Sequence, residues 1–178
     1  MIQVYTGDGK GKTTAALGLA MRAVGRGWRV LIVQFMKHGR YGEHTAAERL
    51  TPELTILCMG AGAGDQPDTG RHWVDLTNPS QEDIDAAEAA LYHAMHIINA
   101  REYEMVILDE ILTAVAYRLL TADDVLTLIR SCREGPELVL TGRNAPRAIV
   151  EAADLVTEMQ AVKHYFDSGI NAREGIEY

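Results

Sequence analysis

Short apolar runs recur along the chain and alternate with longer segments in which apolar residues follow helical spacing. The runs predict about six strands, near residues 2–5, 28–35, 54–59, 103–110, 137–141 and 155–162. The second run, Trp-Arg-Val-Leu-Ile-Val-Gln-Phe, is apolar at most positions, as is typical of a strand buried on both faces of a parallel sheet. Strands that alternate with helices predict an α/β fold, in which helices cover both faces of a mostly parallel sheet.

Capping residues mark two of the predicted helices. Ser80 and Thr121 are residue types that commonly cap helix N-termini, and acidic residues follow Ser80 in the first turn, where the helix dipole favours them. We find no repeat, linker or low-complexity tract. Residues 1–178 are therefore interpreted as a single domain.

The periodic pattern disappears between residues 60 and 78, where glycine recurs. A long loop inside a compact domain is usually functional or disordered. Trp73 is the only large aromatic residue of this segment. It either pins the loop to the body of the domain or faces a ligand, and the pattern leaves both interpretations open.

A glycine-rich segment joins the first strand to the first helix. Its residues are Thr6, Gly7, Asp8, Gly9, Lys10, Gly11, Lys12, Thr13 and Thr14. A strand, such a turn and a helix that opens with Gly-Lys-Thr predict a phosphate-binding P-loop. Its backbone N–H groups cradle an oligophosphate, Lys12 adds positive charge, and the Thr13 hydroxyl is able to ligate a phosphate-bound metal ion. The usual pattern has glycine at the position of Thr6, although the alternating glycines keep the loop permissive.

Two carboxylates end the fourth apolar run. We interpret this run as the strand beside the P-loop strand in nucleotide-hydrolysing folds, so that Asp109 would hold a metal ion and Glu110 would face the phosphates. Arg143 follows the fifth strand at the end where ligands bind in open α/β sheets, and is able to approach phosphate or base. Arg22 lies nine residues beyond Thr13 and is either a solvated charge or reaches back toward the nucleotide.

Composition excludes several other functions. The formal net charge of −8 and the lack of a long basic run argue against sequence-independent nucleic-acid binding. No apolar run approaches the roughly 20 residues that span a bilayer, and the first strand begins too early for a signal peptide, so a cytoplasmic protein is expected. Cys58 and Cys132 lack metal-binding spacing, and we interpret both as reduced core thiols in apolar surroundings.

The ordered set of motifs resembles the P-loop ATP:corrinoid adenosyltransferases, which act on cob(I)alamin or cob(I)yrinic acid a,c-diamide. The resemblance covers nearly the whole chain and rests on residues 5–14, 33–37, 106–110, 140–143, 162–169 and 175–178. It implies a three-layer P-loop NTPase fold of the RecA-like type, with a mostly parallel central sheet. It also implies a homodimer and a flavoprotein partner that reduces cobalt.

In this family the cobalt of a Co(I) corrinoid attacks the 5′-carbon of ATP, the adenosyl group moves to cobalt, and triphosphate leaves. The resemblance implies that the P-loop grips the triphosphate and that Lys12 neutralises it. Thr13, with one or both of Asp109 and Glu110, would hold Mg²⁺ or Mn²⁺. Lys12 and Glu110 are the candidate catalytic residues, and family members use an arginine on the nucleotide at the position of Arg22.

Family members often carry a Gly-Phe-Thr-Trp type segment after the third strand, whose aromatic residues face the corrinoid. The corresponding residues here, 60–65, are Gly-Ala-Gly-Ala-Gly-Asp, and Trp73 is the first aromatic candidate for this contact. Two rival hypotheses stay open from the residues. One is a kinase or ATPase in which Glu110 positions water or a hydroxyl group. The other is a nucleotide-dependent corrinoid carrier or regulator without catalytic activity.

Overall fold

Strands and helices alternate through the part of the chain that the computed structural model describes, residues 1–63, 74 and 78–177. The strands are β1 (Ile2–Thr6), β2 (Val30–Phe35), β3 (Leu54–Met59), β4 (Met105–Asp109), β5 (Glu137–Thr141) and β6 (Leu155–Glu158). The helices are α1 (Lys12–Val24), α2 (Gly42–Glu48), α3 (Gln81–Ala100), α4 (Ile111–Ala116), α5 (Ala122–Cys132) and α6 (Arg147–Ala152), and a 3₁₀-helix follows at Tyr165–Ser168. Ser80 and Thr121 cap α3 and α5 as predicted.

The strands form one sheet in the order β3-β2-β4-β5-β1-β6, and every neighbouring pair is parallel. Side chains of successive strand residues point to opposite faces. Leu31, Val33 and Phe35 pack in a core shared with α3, α4, α5 and α6, whereas Val30 and Ile32 pack with α1 and α2. The three-layer α/β architecture with a parallel central sheet is thereby confirmed.

One expected neighbour relation is wrong. β4 does not lie beside the P-loop strand, because β5 lies between them: Leu140 is opposite Val4 on one side and Leu108 on the other. An apolar run shows that a strand is buried on both faces but carries no information about which strands flank it. Asp109 still comes near the P-loop, since parallel strands all end at the same edge of the sheet.

Three of the six predicted strands, the second, fourth and sixth, were too long. Trp28 is 40% exposed and lies before β2, and residues 159–162 lie beyond the end of β6. Cys132 is a buried core thiol as expected, but the apolar surroundings expected for Cys58 are wrong. The sulfur of Cys58 lies 3.1 Å from Nε2 of His44. Within the described ranges, no helix combines the length and the apolar character that crossing a bilayer requires.

Candidate active site

The P-loop connects β1 to α1 and lies against the chain that follows β6. The N–H of Gly9 donates to the carbonyl of Met159 at 2.7 Å, and a Cβ atom at Gly9 would lie 2.8 Å from that same oxygen. Gly11 has a φ of 119°, a left-handed conformation that residues with side chains rarely adopt. Close approach and backbone direction therefore both require glycines in this loop.

Thr6 accounts for the departure from the usual P-loop pattern. It is the last residue of β1 and pairs with the edge strand β6. Its carbonyl accepts from the N–H of Met159 at 2.8 Å, and its hydroxyl oxygen accepts from the N–H of Ala145 at 3.3 Å. Thr6 thus ties the loop after β5 to the P-loop strand through its hydroxyl, a contact that glycine would not make.

Lys12 is folded back over the loop. Its Nζ donates to the carbonyls of Gly7 at 2.7 Å and Gly9 at 2.8 Å. Burial lowers the pKa of Lys12 below its ordinary value, although the nearby Glu110 carboxylate opposes this effect. Phosphate oxygens are charged and therefore stronger acceptors than these carbonyls, so the ammonium is placed to transfer to a polyphosphate.

Asp109 is fully buried at the end of β4 and lies opposite the start of α1. Its Oδ1 accepts from the hydroxyls of Thr13 at 2.8 Å and Thr141 at 2.7 Å. The Thr141 oxygen in turn accepts from the N–H of Glu110 at 2.9 Å. These bonds fix the Asp109 carboxylate beside the Thr13 hydroxyl, the pair of oxygen donors expected at a magnesium site.

Glu110 begins α4 with a φ of 66°, and its carboxylate accepts from the hydroxyl of Thr113. A left-handed conformation in a residue other than glycine is uncommon, and such residues cluster at functional sites. It turns the chain sharply between two carboxylates, so that Asp109 is buried while Glu110 lines the cavity at the P-loop. Both residues therefore lie at the P-loop end of the sheet, and their roles toward a metal ion and phosphate stay predictions.

Three residues that were not predicted as site residues complete this part of the site, although two of them belong to the family motif at residues 33–37. Gln34 is fully buried in β2, and its Nε2 donates to Oε1 of Glu43 at 3.1 Å and to Oδ2 of Asp109 at 3.3 Å. Nζ of Lys37 contacts the same two oxygens, also at 3.1 and 3.3 Å. Burial tends to lower the pKa of Lys37, but Asp109 and Glu43 outweigh this and raise it above its ordinary value. The signal for this cluster was Gln34, a polar residue inside an otherwise apolar strand.

A cavity of about 600 Å³ opens where these elements meet. Its P-loop wall runs from Gly9 to Thr14, and Lys37, Glu43, Glu110 and Arg143 contribute charged side chains. The backbone N–H of Arg143 donates to Thr113 at 2.8 Å, which fixes the turn after β5. Cavities that hold nucleotides and cofactors have volumes of roughly 300–1,000 Å³, so this one is of suitable size.

The C-terminal tail forms the outer wall of this cavity, through His164, Tyr165, Gly175, Ile176 and Glu177. The hydroxyl of Tyr165 donates to Glu177, and the Arg173 guanidinium lies 4.8 Å from the centre of the Tyr165 ring. Nζ of Lys10 donates to the Ile176 carbonyl at 3.3 Å, which joins the tail to the P-loop.

Two candidates do not come together with the rest. Arg22 lies near the C-terminal end of α1. It lines a cavity of about 340 Å³ near the starts of the strands, at the end of the sheet away from the P-loop. The structure thus does not bring Arg22 to the P-loop cavity, because α1 extends about 1.5 Å per residue away from it. Trp73 lies outside the described residues.

The oxygen atoms of Thr13 and Asp109 are donors of the kind that a divalent cation takes. Across residues 1–63, 74 and 78–177, no group of three or more His, Cys, Asp or Glu side chains is arranged to hold a metal ion. An ion at Thr13 and Asp109 would therefore take further oxygen ligands from water and from nucleotide phosphates. Magnesium binds in this manner, through one or two carboxylates, water and substrate phosphates, so the residues fit.

Known proteins match the chain over its whole length. The family model described as ATP:corrinoid adenosyltransferase BtuR/CobO/CobP matches residues 1–178. A corrinoid adenosyltransferase of Pseudomonas aeruginosa is 37% identical over 179 residues, which cover 100% of this chain and 83% of the relative. A corrinoid adenosyltransferase of Escherichia coli (strain K12) is 37% identical over 180 residues, with 100% and 85% covered. Corrinoid adenosyltransferase CobA of Salmonella typhimurium gives the same figures. The resemblance of the motifs is thereby confirmed.

Proposed function

We propose that this protein transfers the 5′-deoxyadenosyl group of ATP to the Co(I) centre of a corrinoid, since the chain belongs to the ATP:corrinoid adenosyltransferase family. The observation that carries the proposal is the cavity at the P-loop. It combines a glycine-rich phosphate cradle with the cations Lys12, Lys37 and Arg143, and the buried Asp109 carboxylate accepts from the Thr13 hydroxyl beside it.

The reaction forms a Co–C bond and breaks the C5′–O bond, and the electron pair of that bond leaves with triphosphate. A Co(I) nucleophile carries no proton, so the protein supplies no general base. Its task is to align the two substrates and to stabilise negative charge on the departing oxygen. Lys12 and Arg143 provide positive charge for that purpose.

We assign the metal site to Thr13 and Asp109, with Glu110 in reach through water. A bound Mg²⁺ would neutralise part of the triphosphate charge and orient it. The hydrogen bonds from Thr13 and Thr141 hold Asp109 in position for this role. Mn²⁺ shares the preference for oxygen ligands and is expected to substitute.

We also propose that the protein acts in the cytoplasm as a homodimer and that a flavoprotein partner reduces the cobalt. The edge strand β6 supports a dimer. Leu155 is 46% and Val156 41% exposed, and because they point to opposite faces of the sheet, apolar surface is uncovered on both faces. Light scattering after size exclusion measures the mass, and a monomer at micromolar concentration would contradict the dimer.

The test of function is incubation with ATP, Mg²⁺ and a chemically reduced corrinoid under anaerobic conditions. The expected products are a light-sensitive adenosylcorrinoid and an equal amount of triphosphate, measured by absorbance and by chromatography. Release of ADP or inorganic phosphate would instead support a kinase or ATPase. ATP binding without any product would support a carrier or regulator.

A further inference from the structure

We propose that Lys37 is a further phosphate-binding residue of this site, and that Glu43 is the positioning residue that holds it there. Lys37 would bind the triphosphate part of ATP and remain in contact with triphosphate as it leaves. The inference rests on the proposed function, because it assigns Lys37 to the same cavity.

The geometry around Lys37 is unusual for a structural ion pair. Oε1 of Glu43 and Oδ2 of Asp109 are bridged twice, by the amide of Gln34 from the interior and by the ammonium of Lys37 from the cavity side. Gln34 already gives each oxygen a hydrogen bond. The amide is neutral, however, so Lys37 supplies the positive charge between the two carboxylates, and it does so from the cavity wall, where a bound anion would also meet it.

The ammonium group has donor capacity left for a ligand. It carries three N–H donors, of which Glu43 takes one and Asp109 attracts a second. The Lys37 side chain is 19% exposed and lines the same cavity as Lys12, Thr13 and Arg143. A polyphosphate in the P-loop would thus meet a cation on the β2 side of the cavity as well as on the α1 side.

Glu43 and Tyr41 determine where this cation lies. Glu43 is in the first turn of α2, and Nζ of Lys37 lies 4.9 Å from the centre of the Tyr41 ring. Without Glu43, the flexible lysine would be held by Asp109 alone and would lie deeper, beside the metal site. Nζ of Lys37 lies 3.1 Å from Glu43 and 3.3 Å from Asp109, so Glu43 shares an ammonium that Asp109 would otherwise hold alone.

The test measures binding of inorganic triphosphate with Mg²⁺ by calorimetry. We expect Lys37→Met to weaken binding by roughly 10- to 100-fold, as for a lost charge-assisted hydrogen bond. Lys37→Arg should retain most of the affinity. Lys163→Met removes the same charge from the exposed tail outside the cavity lining and should change affinity by less than about twofold.

The role of Glu43 requires a double-mutant cycle. Glu43→Gln should weaken triphosphate binding when Lys37 is present and should have no such effect in Lys37→Met. If Glu43 only repels the ligand, Glu43→Gln will strengthen binding in both backgrounds, and the positioning role is wrong. Wild-type affinity in Lys37→Met would overturn the proposal for Lys37.

Failure of this inference is distinguishable from failure of the proposed function. If the wild-type protein forms adenosylcorrinoid while Lys37→Met binds triphosphate normally, only the role of Lys37 is lost. If the wild type forms no product, the proposed function fails first. Thermal unfolding of each variant detects misfolding, and Lys37→Gln replaces Lys37→Met if the latter does not fold.

Discussion

The two walls of the P-loop cavity are built in different ways. The inner wall consists of the P-loop and the strand ends behind it, where Asp109 and Gln34 are fully buried and hydrogen-bonded to side chains of neighbouring strands. The outer wall is the tail after β6, whose Tyr165 and Glu177 contact mainly each other and Arg173. The core therefore fixes the side chains of the inner wall, whereas the residues of the outer wall are held mainly by contacts within the tail itself.

The largest expected effect is at the inner wall. Lys12→Ala should abolish detectable ATP binding and turnover, a loss of at least roughly 100-fold, because several charge-assisted hydrogen bonds to phosphate disappear together. Nucleotide titration and the adenosylcorrinoid assay measure it. The matched variant is Lys10→Ala, which removes the P-loop lysine that contacts the tail and should cause a smaller loss. Equal losses would mean that the two walls contribute alike.

The next effect separates the two candidate arginines. Arg143→Ala should raise the KM for ATP by roughly tenfold, since Arg143 lines the P-loop cavity and is able to pair with phosphate. Arg22→Ala should keep the KM for ATP within about twofold of the wild-type value, because Arg22 lies at the end of the sheet away from the P-loop. Steady-state kinetics at saturating corrinoid decide between them. An increase of KM only in Arg22→Ala would restore the expectation, taken from the family resemblance, that Arg22 contacts the nucleotide.

A third prediction concerns the rigidity of the inner wall. Thr141→Val keeps the shape of the side chain but leaves Asp109 with one hydrogen bond fewer and the N–H of Glu110 without its acceptor. The free energy of unfolding should fall by about 1–3 kcal/mol, measured by urea denaturation, and Mg²⁺ affinity should fall with it. Thr141→Ser retains the hydroxyl and should cost less than about 1.5 kcal/mol. Equal stability of the two variants would show that these hydrogen bonds do not support the wall.

Much of the inner wall was predictable, because its motifs are local. Residues 6–14 and the Asp109–Glu110 pair have patterns that follow directly from phosphate and metal chemistry. The family resemblance then identified the reaction. The position of β5 between β1 and β4 was not predictable, since strand order depends on pairings between residues far apart in sequence.

The remaining site residues depend on contacts that no local pattern describes. Lys37 meets Asp109 because β2 and β4 are neighbours in the sheet, with Gln34 paired to Asp109. Arg22 was assigned to the nucleotide by analogy, and the direction of α1 places it elsewhere. The tail was recognised as part of the family pattern, but its position over the P-loop results from the turn after β6.

The smallest expected effect is at the outer wall and depends on pH. The hydrogen bond from Tyr165 lowers the pKa of Glu177 from its ordinary value of 4.5 to about 2. Since the folded pKa is the lower one, ionised Glu177 favours the closed tail above about pH 4.5, and this contribution is lost as the pH falls toward about 2. Tyr165 ring resonances followed by NMR should therefore move in this range.

Glu177→Gln should abolish the movement and raise the KM for ATP by only about twofold, as expected for an exposed contact. Glu174→Gln, on the same tail, is the control and should keep the titration. If the Tyr165 ring resonances still move with pH in Glu177→Gln, another carboxylate holds the tail closed.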